Sequence, residues 1–304
     1  MKIYVNKVNE SWIIDRIRKD WYKNKQNIST NNIRRSDIVW ILSPWVWQNL
    51  SKKILEQKKV ICSHYHFDFD NFDEKDFHLL DRYVDEYHVI SQKTYQQLRS
   101  LTDKKITSIP FWVDQNIFKN LPNRDLLRRN LDLSNDDYLI GSFQRDTESK
   151  DLISPKLIKG PDIFIDLVKK LYKKNKNVKV ILAGKNRQYV IRQLKSSNIP
   201  FSYFQMVNLT ELNELYNVLD LYLVTSRIEG GPQAIMEAAI SKTPILSTDV
   251  GVASEILHSK SIFNRENFEN SKVNTEFAHK KSLEFTIPRG INKFEEMLRS
   301  VYES

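Results

Sequence analysis

The chain has 304 residues, a formal net charge of +9, 40% hydrophobic and 28% charged residues, and one cysteine, Cys62. That is enough for one large or two ordinary domains with apolar cores. It excludes an intramolecular disulfide and offers no apolar run of the roughly 18 to 20 residues that a membrane span needs. The opening MKIYVNKVNESW has no apolar h-region, so the expectation is a soluble, cytoplasmic protein in a reducing compartment. The positive excess is spread over both halves, as a solvated surface or a general attraction to anions would have it.

In chain order, KIYVN reads as a strand and SWIIDRIRKDWYKNK as a helix, with Trp12, Ile13, Ile17 and Trp21 on one side. DIVWIL and KKVICS are short buried strands, with a helix-like WVWQNLSKKILEQ between them. DEKDFHLLDRYVD is a helix, EYHVIS a strand, QKTYQQLRSLT a helix and KKITSIP a strand. The polar stretch from Phe111 to Asp137 breaks this rhythm and reads as a crossing between domains. The alternation then restarts with strands YLIGSF, VKVILAG, FSYFQM, LYLVTS and PILST. The helices between and after them are GPDIFIDLVKKLYKK, RQYVIRQLKSS, LTELNELYNVL, PQAIMEAAIS and GVASEIL, before a terminal helix GINKFEEMLRSVYE. Serial βαβ units imply parallel sheets covered on both faces. The expected architecture is α/β, with two Rossmann-like domains over residues 1–120 and 121–285, facing each other across a cleft. A terminal helix, 286–304, could pack back on the first domain.

All seven glycines lie after residue 140, so the first half has no G-x-G-x-x-G phosphate loop. Gly184, Gly230, Gly231 and Gly251 fall at or near strand ends, where a backbone turns sharply or lets a ligand approach. The segment RIEGGPQAIMEAAISKTP is the densest case. Its turn leads through Pro232, expected in the first helical turn, into a helix whose N-terminus at residues 231–234, including Gln233 and Ala234, suits a phosphate. Glu229 lies in the turn and Glu237 about two helical turns on, so the carboxylates can meet hydroxyls at different depths. Arg145 follows another strand, and Lys159 precedes Gly160 at a helix start; two such cations can clamp a diphosphate. Glu255 lies at the helix after Gly251.

Together, Gly-Ser-Phe-x-Arg, Lys-Gly, ILAG, LNELYNVLDLYLVTSRIEGGPQAIMEA and PILSTDVGVASEIL resemble the retaining GT-B glycosyltransferases, most closely family 4 (glycosyl transferases group 1). The resemblance covers about residues 139–258, with Glu229-x(7)-Glu237 its most specific element, and extends weakly to IPFWVDQNIF, where Trp112 replaces a glycine. It implies that Arg145 and Lys159 hold the donor diphosphate, Glu237 the ribose hydroxyls and Glu229 the donor sugar, with the backbone after Glu229 contacting sugar and phosphate. Pro232 and Gln233 stand where the family more often has an aromatic residue and a glycine. A family histidine near the donor sugar matches either His64 or His66, with His66 preferred. The two are expected to point the same way if the segment is extended.

The reaction implied is transfer of a sugar from a nucleotide-diphosphate sugar to a hydroxyl-bearing glycan or glycolipid, with retention and with the leaving phosphate as base. The setting implied is surface polysaccharide or lipopolysaccharide assembly. No metal or other cofactor is expected. Asp68-Phe69-Asp70 matches a metal-holding D-x-D pattern. Asn71 and Glu74, a near capping box, with Asp70 and Asp73 beside a helix start, explain the acidic run locally. Other readings are a sugar-nucleotide epimerase of the same fold, a non-catalytic GT-B subunit and a nucleic-acid glucosyltransferase. The last lacks a basic-aromatic stripe, so no nucleic acid beyond the nucleotide is expected. DRIRKDWYKNK is an ordinary amphipathic helix or, less favoured, a peripheral contact with the inner membrane face.

Overall fold

The computed structural model describes residues 1–8 and 13–304, so the assignment of Trp12 to an apolar helical stripe lies outside the described residues. The chain divides into two units, Met1–Trp112 with Phe285–Ser304, and Val113–Glu284. The crossing read at residue 120 falls at Trp112 because that side chain is 1% exposed in the core of the first unit. The backbone N–H groups of Lys119 and Leu121 instead donate to Asn213 Oδ1 (3.1 Å) and Asn217 Oδ1 (2.7 Å) of the second.

The first unit runs β1 (Ile3–Val5), α1 (Ile13–Asn24), β2 (Ile38–Ile41), α2 (Lys52–Leu55), β3 (Lys59–His64), α3 (Glu74–Asp81), β4 (Glu86–Val89), α4 (Gln92–Arg99) and β5 (Lys105–Ser108). The strands form a parallel sheet in the order β1-β2-β3-β4-β5. Both faces are covered, which is why β2 and β3 read as unbroken apolar runs. One face packs Ile14, Ile17 and Trp21 of α1 together with Phe294 and Leu298 of the terminal helix α12 (Arg289–Glu303). The other packs Trp47, Leu55, Phe77, Leu80 and Leu98. Trp21 of DRIRKDWYKNK is therefore core, not surface.

A lone parallel bridge from Ile3 to Ser29 puts the chain on the outer side of β1 before it crosses back to β2. The winding thus passes from one side of β1 to the other before β2, and Asn6 closes that point. Its Oδ1 accepts from the N–H groups of Leu42 (2.8 Å) and Ser43 (3.2 Å), and its Nδ2 donates to Ser43 O (3.2 Å). The single helix expected over residues 45–57 is broken. Pro44–Asn49 forms a 3₁₀ turn, Leu50 and Ser51 are extended, and only Lys52–Leu55 is α-helical. The turn is drawn inward by Trp47, whose Nε1 donates to the Asp76 carboxylate (3.0 Å).

The second unit runs α5 (Arg124–Asn130), β6 (Tyr138–Ser142), α6 (Pro161–Lys174), β7 (Val178–Ala183), α7 (Gln188–Ser196), β8 (Phe201–Phe204) and α8 (Leu209–Val218). It continues with β9 (Leu221–Val224), α9 (Gln233–Ile240), β10 (Ile245–Thr248), α10 (Ala253–Ile256), β11 (Ile262–Phe263) and α11 (Thr275–Ser282). Its parallel sheet has the order β11-β10-β9-β6-β7-β8, so the winding reverses between β6 and β9. Ligands of open parallel sheets bind outside the carboxyl ends of strands at such a reversal. Helix α5 lies inside the stretch read as a polar crossing. Its Arg128 is buried and donates to Val218 O (2.8 Å) and Asp220 Oδ2 (2.7 Å), contacts that composition hides.

Beneath the ends of β6 and β7 lies a wholly buried ion pair. Arg187 Nε is 2.6 Å from Asp146 Oδ2, with side-chain exposures of 0% and 3%. Arg187 also donates to Ser142 O (2.7 Å), Ala183 O (3.2 Å) and Ser142 Oγ (3.1 Å). Burial pushes the Asp146 carboxyl up and the Arg187 guanidinium down, and each is pulled back by the other's charge. Removing one partner of such a pair strands the other without solvent. We therefore expect Arg187→Ala to cost about 3–5 kcal/mol of stability. Urea unfolding should find the double variant Asp146→Leu, Arg187→Met much closer to the parent than either single change.

Candidate active site

Lys159, Gly160 and Glu229 meet beside the β6/β9 reversal. Gly160 joins a 3₁₀ turn, Leu157–Lys159, to α6 at φ +61°, and a Cβ there would lie 1.8 Å from Thr225 O. Only glycine permits this approach. The contact is stitched by Thr225 Oγ1 donating to Gly160 O (2.9 Å), and by the N–H groups of Arg227 and Ile228 donating to Ile158 O (2.8 and 3.1 Å). The start of α6 and the loop after β9 are thereby held together.

This places Lys159 against Glu229. Lys159 Nζ is 2.5 Å from Glu229 Oε1, with side-chain exposures of 20% and 14%. Gln144, just before Arg145, ties the three loops: its Nε2 donates to Lys159 O (2.8 Å), and its Oε1 lies 3.0 Å from Ser226 Oγ. Ser226 Oγ is also 3.3 Å from Glu229 Oε1 and can donate its one proton to either. Arg145 is half-buried, with Nη1 3.5 Å from Ser149 Oγ. Its neighbour Asp146 is the buried partner of Arg187, so the backbone that carries Arg145 is anchored from below.

Glu237 lies deeper, on the inner face of α9, at 4% exposure. Its Oε2 accepts from Tyr216 Oη at 3.0 Å, and Tyr216 packs among Phe118, Phe143 and Tyr222. Glu229 and Glu237 thus sit at different depths. Pro232 proves to be the residue before α9 rather than part of its first turn, and no side chain caps the helix. Gln233 and Ala234 open it, half-buried.

The glycine pair does not owe its place to backbone conformation. Neither Gly230 nor Gly231 has positive φ; Gly251 does, at +50°. A Cβ on Gly251 would fall 2.3 Å from Gly230 O and 3.0 Å from Gly231 N. The backbone brought close to the Gly230–Gly231 peptide is therefore that of the loop after β10. Gly184 has its own backbone bonds met: its N–H donates to Phe204 O (3.2 Å), and its carbonyl accepts from Tyr203 Oη (2.9 Å).

In the first unit, β3 ends at His64, so the alternation that would send His64 and His66 the same way does not extend to His66. The His64 ring stacks on Phe67 (centroids 5.0 Å apart) beside Phe77 and Tyr87. Its Nε2 is enclosed without a hydrogen-bond partner. Burial, then the proximity of His66, pushes its pKa down to about 3. His66 is exposed. Asp68 accepts from Asn71 Nδ2 (2.9 Å), and Asp70 is exposed. The cap of α3 is Asp73, whose side chain accepts from Asp76 N–H (2.9 Å), not Asn71, because a 3₁₀ turn at Phe69–Asn71 intervenes. Among the described residues, no three His, Cys, Asp or Glu side chains group as metal ligands. None of the described helices is long and apolar enough to cross a membrane.

Arg187 and Asp146 were not singled out by sequence reasoning. The only available signal was a charge next to each of two strand-end motifs, in QRD and AGKNR.

Residues 153–278 match the family model described as Glycosyl transferases group 1. A comparison with curated proteins found no match. Among solved structures, Anabaena Alr3699/HepE in complex with UDP is 16% identical, with TM-score 0.77 over 99% of this chain and 100% of that one. Sucrose-phosphate synthase from Thermosynechococcus elongatus is 12% identical, with TM-score 0.69 over 98% of this chain and 81% of that one. An S. aureus TarM mutant in complex with fondaparinux, α-GlcNAc-glycerol and UDP is 15% identical, with TM-score 0.62 over 95% of this chain and 58% of that one. With its two parallel sheets and C-terminal helix, the chain has the GT-B fold shared by these structures.

Proposed function

We propose that the chain is a retaining glycosyltransferase of the family 4 type, moving a sugar from a nucleoside-diphosphate sugar, UDP-linked in the first instance, to a hydroxyl of a glycan or glycolipid. The observation that carries this reading is the Lys159–Glu229 pair at the β6/β9 reversal, between the start of α6 and the loop that enters α9. A cation there meets a diphosphate, and a carboxylate there accepts hydroxyls. The choice of UDP follows the complexes of similar fold that contain it.

In this reading Arg145, Lys159 and the N-terminus of α9 at residues 231–234 neutralise charge that grows on the leaving diphosphate. Such preorganised donors act most strongly where charge develops in the transition state. Glu237 takes the ribose hydroxyls, and Glu229 a hydroxyl of the donor sugar. His66, the exposed histidine, or His64, the enclosed one, is the histidine assigned to the donor sugar. No protein nucleophile is required, because the leaving phosphate takes the acceptor proton on the face from which it departs. The setting proposed is cytoplasmic surface-polysaccharide or lipopolysaccharide assembly, with peripheral membrane contact and no metal or other cofactor.

The primary test is thermal shift with UDP, GDP, ADP and CMP sugars. Turnover of the sugar that binds should then be followed by NMR of the anomeric centre; an inverted product would remove the retaining assignment. Arg145→Ala should weaken UDP at least tenfold while leaving uridine affinity nearly unchanged, since a charge-assisted hydrogen bond contributes about 1.5–3 kcal/mol. Equal loss of both would show that Arg145 does not act on the diphosphate. Glu237→Gln keeps an acceptor for Tyr216 but removes the charge, and should weaken UDP by about ten- to a hundredfold on the same scale. Calorimetry at unchanged melting temperature checks it. Turnover should persist after exhaustive chelation. Loss with EDTA, recovery with Mn²⁺ and sensitivity to Asp68→Ala or Asp70→Ala would instead put the donor in the first unit.

A further inference from the structure

Lys159 and Glu229 are assigned to different parts of one ligand, the diphosphate and the sugar, yet in this structure they are bound to each other at 2.5 Å. The contact is built, not incidental. Lys159 is the last residue of a 3₁₀ turn whose carbonyl is held by Gln144 (2.8 Å), and Gly160 pins the next residue against Thr225. On the other side, Ser226 Oγ lies within 3.3 Å of the same Glu229 oxygen that meets Lys159. Both side chains are mostly but not wholly withdrawn from solvent, so the charges are screened less than on an open surface.

We propose that this ion pair is a reserve contact that the donor must exchange. The diphosphate takes Lys159 from Glu229, and the Glu229 oxygen so released becomes the acceptor for a sugar hydroxyl. The inference rests on the donor-site reading above and goes beyond it, because it makes diphosphate capture and sugar recognition parts of one exchange. Two physical consequences follow. A phosphate entering the site meets a cation already neutralised by a carboxylate, so part of the attraction is spent on opening the pair. Glu229, though it belongs to the donor site, therefore opposes binding of a bare nucleoside diphosphate, which has no sugar hydroxyl to occupy the freed oxygen. A nucleoside-diphosphate sugar has one.

The experiment is calorimetry with UDP and with uridine on the full chain, its Glu229→Gln and Lys159→Met variants, and the double variant. Thermal unfolding serves as the check on folding, and Glu229→Ala as a second neutral variant. Glu229→Gln and Glu229→Ala should each bind UDP about two- to fivefold more tightly than the parent, the size expected for release of a partly exposed ion pair. Uridine affinity should not change. In the Lys159→Met background the gain should vanish, because there is no pair left to open. Unchanged or weaker UDP binding by both Glu229 variants would overturn the proposal. So would an equal gain in the Lys159→Met background, which marks a general repulsion between carboxylate and phosphate. A parent chain that binds UDP no better than uridine, or a Lys159→Met variant that keeps the full preference for UDP, would overturn the donor-site assignment on which the exchange rests.

Discussion

A guanidinium with no solvent exposure sits beneath the carboxyl ends of β6 and β7, and the loop that carries Arg145 is tied to it. Arg187 has exchanged water for Asp146, two backbone carbonyls and a serine hydroxyl. A buried charge survives only when so fully partnered, which makes the arrangement rigid as well as costly to disturb. The loop after β6 has little freedom at Asp146: its N–H and that of Thr147 both donate to Asn186 O (3.1 and 3.0 Å). The residue presented just before this anchor is Arg145. Arg145 is thus carried on a backbone whose position is fixed by a second, hidden cation.

The two sheets treat their points of reversal in opposite ways. In the first unit Asn6 spends both ends of its amide on the chain between Leu42 and Ser43, so the reversal is closed with protein groups. In the second the reversal is flanked by charged side chains and by the opening of α9, which no side chain caps. Two glycines let backbones touch there: Gly160 against Thr225, and Gly251 against the Gly230–Gly231 peptide. These contacts draw the loops after β6, β9 and β10 into one layer.

Much of this was legible in the sequence. Alternating apolar runs and amphipathic segments located most strands and the longer helices, because covered parallel sheets leave a strong signal. The motif at Glu229 and the Lys159–Gly160 pair, read separately in the sequence, meet in the fold as the Lys159–Glu229 ion pair. What could not be read was the burial of charge. Arg128 and Arg187 look like any surface arginine until Val218, Asp220 and Asp146 are brought to them from distant positions. The constraint on Gly251 was hidden for a related reason: it comes from the Gly230–Gly231 peptide, about twenty positions away, and appears only when the loops meet. The broken helix at residues 44–55 and the cap at Asp73 are likewise set by tertiary contacts and a short intervening turn, not by propensity.

The first unit is interrupted by the whole of the second and finished by α12. Phe294 of that helix stands against Trp40 (5.5 Å), Phe111 (5.4 Å) and Trp112 (5.0 Å), so α1 alone covers the aromatic core on that side only in part until α12 is present. On the ribosome, chains grow from the amino end and domains usually fold in that order. Here residues 113–284 are contiguous and can close their own core while α12 has yet to emerge. The unit begun first is completed last, and for the intervening period Trp40 and Trp112 lack the ring that α12 will lay against them.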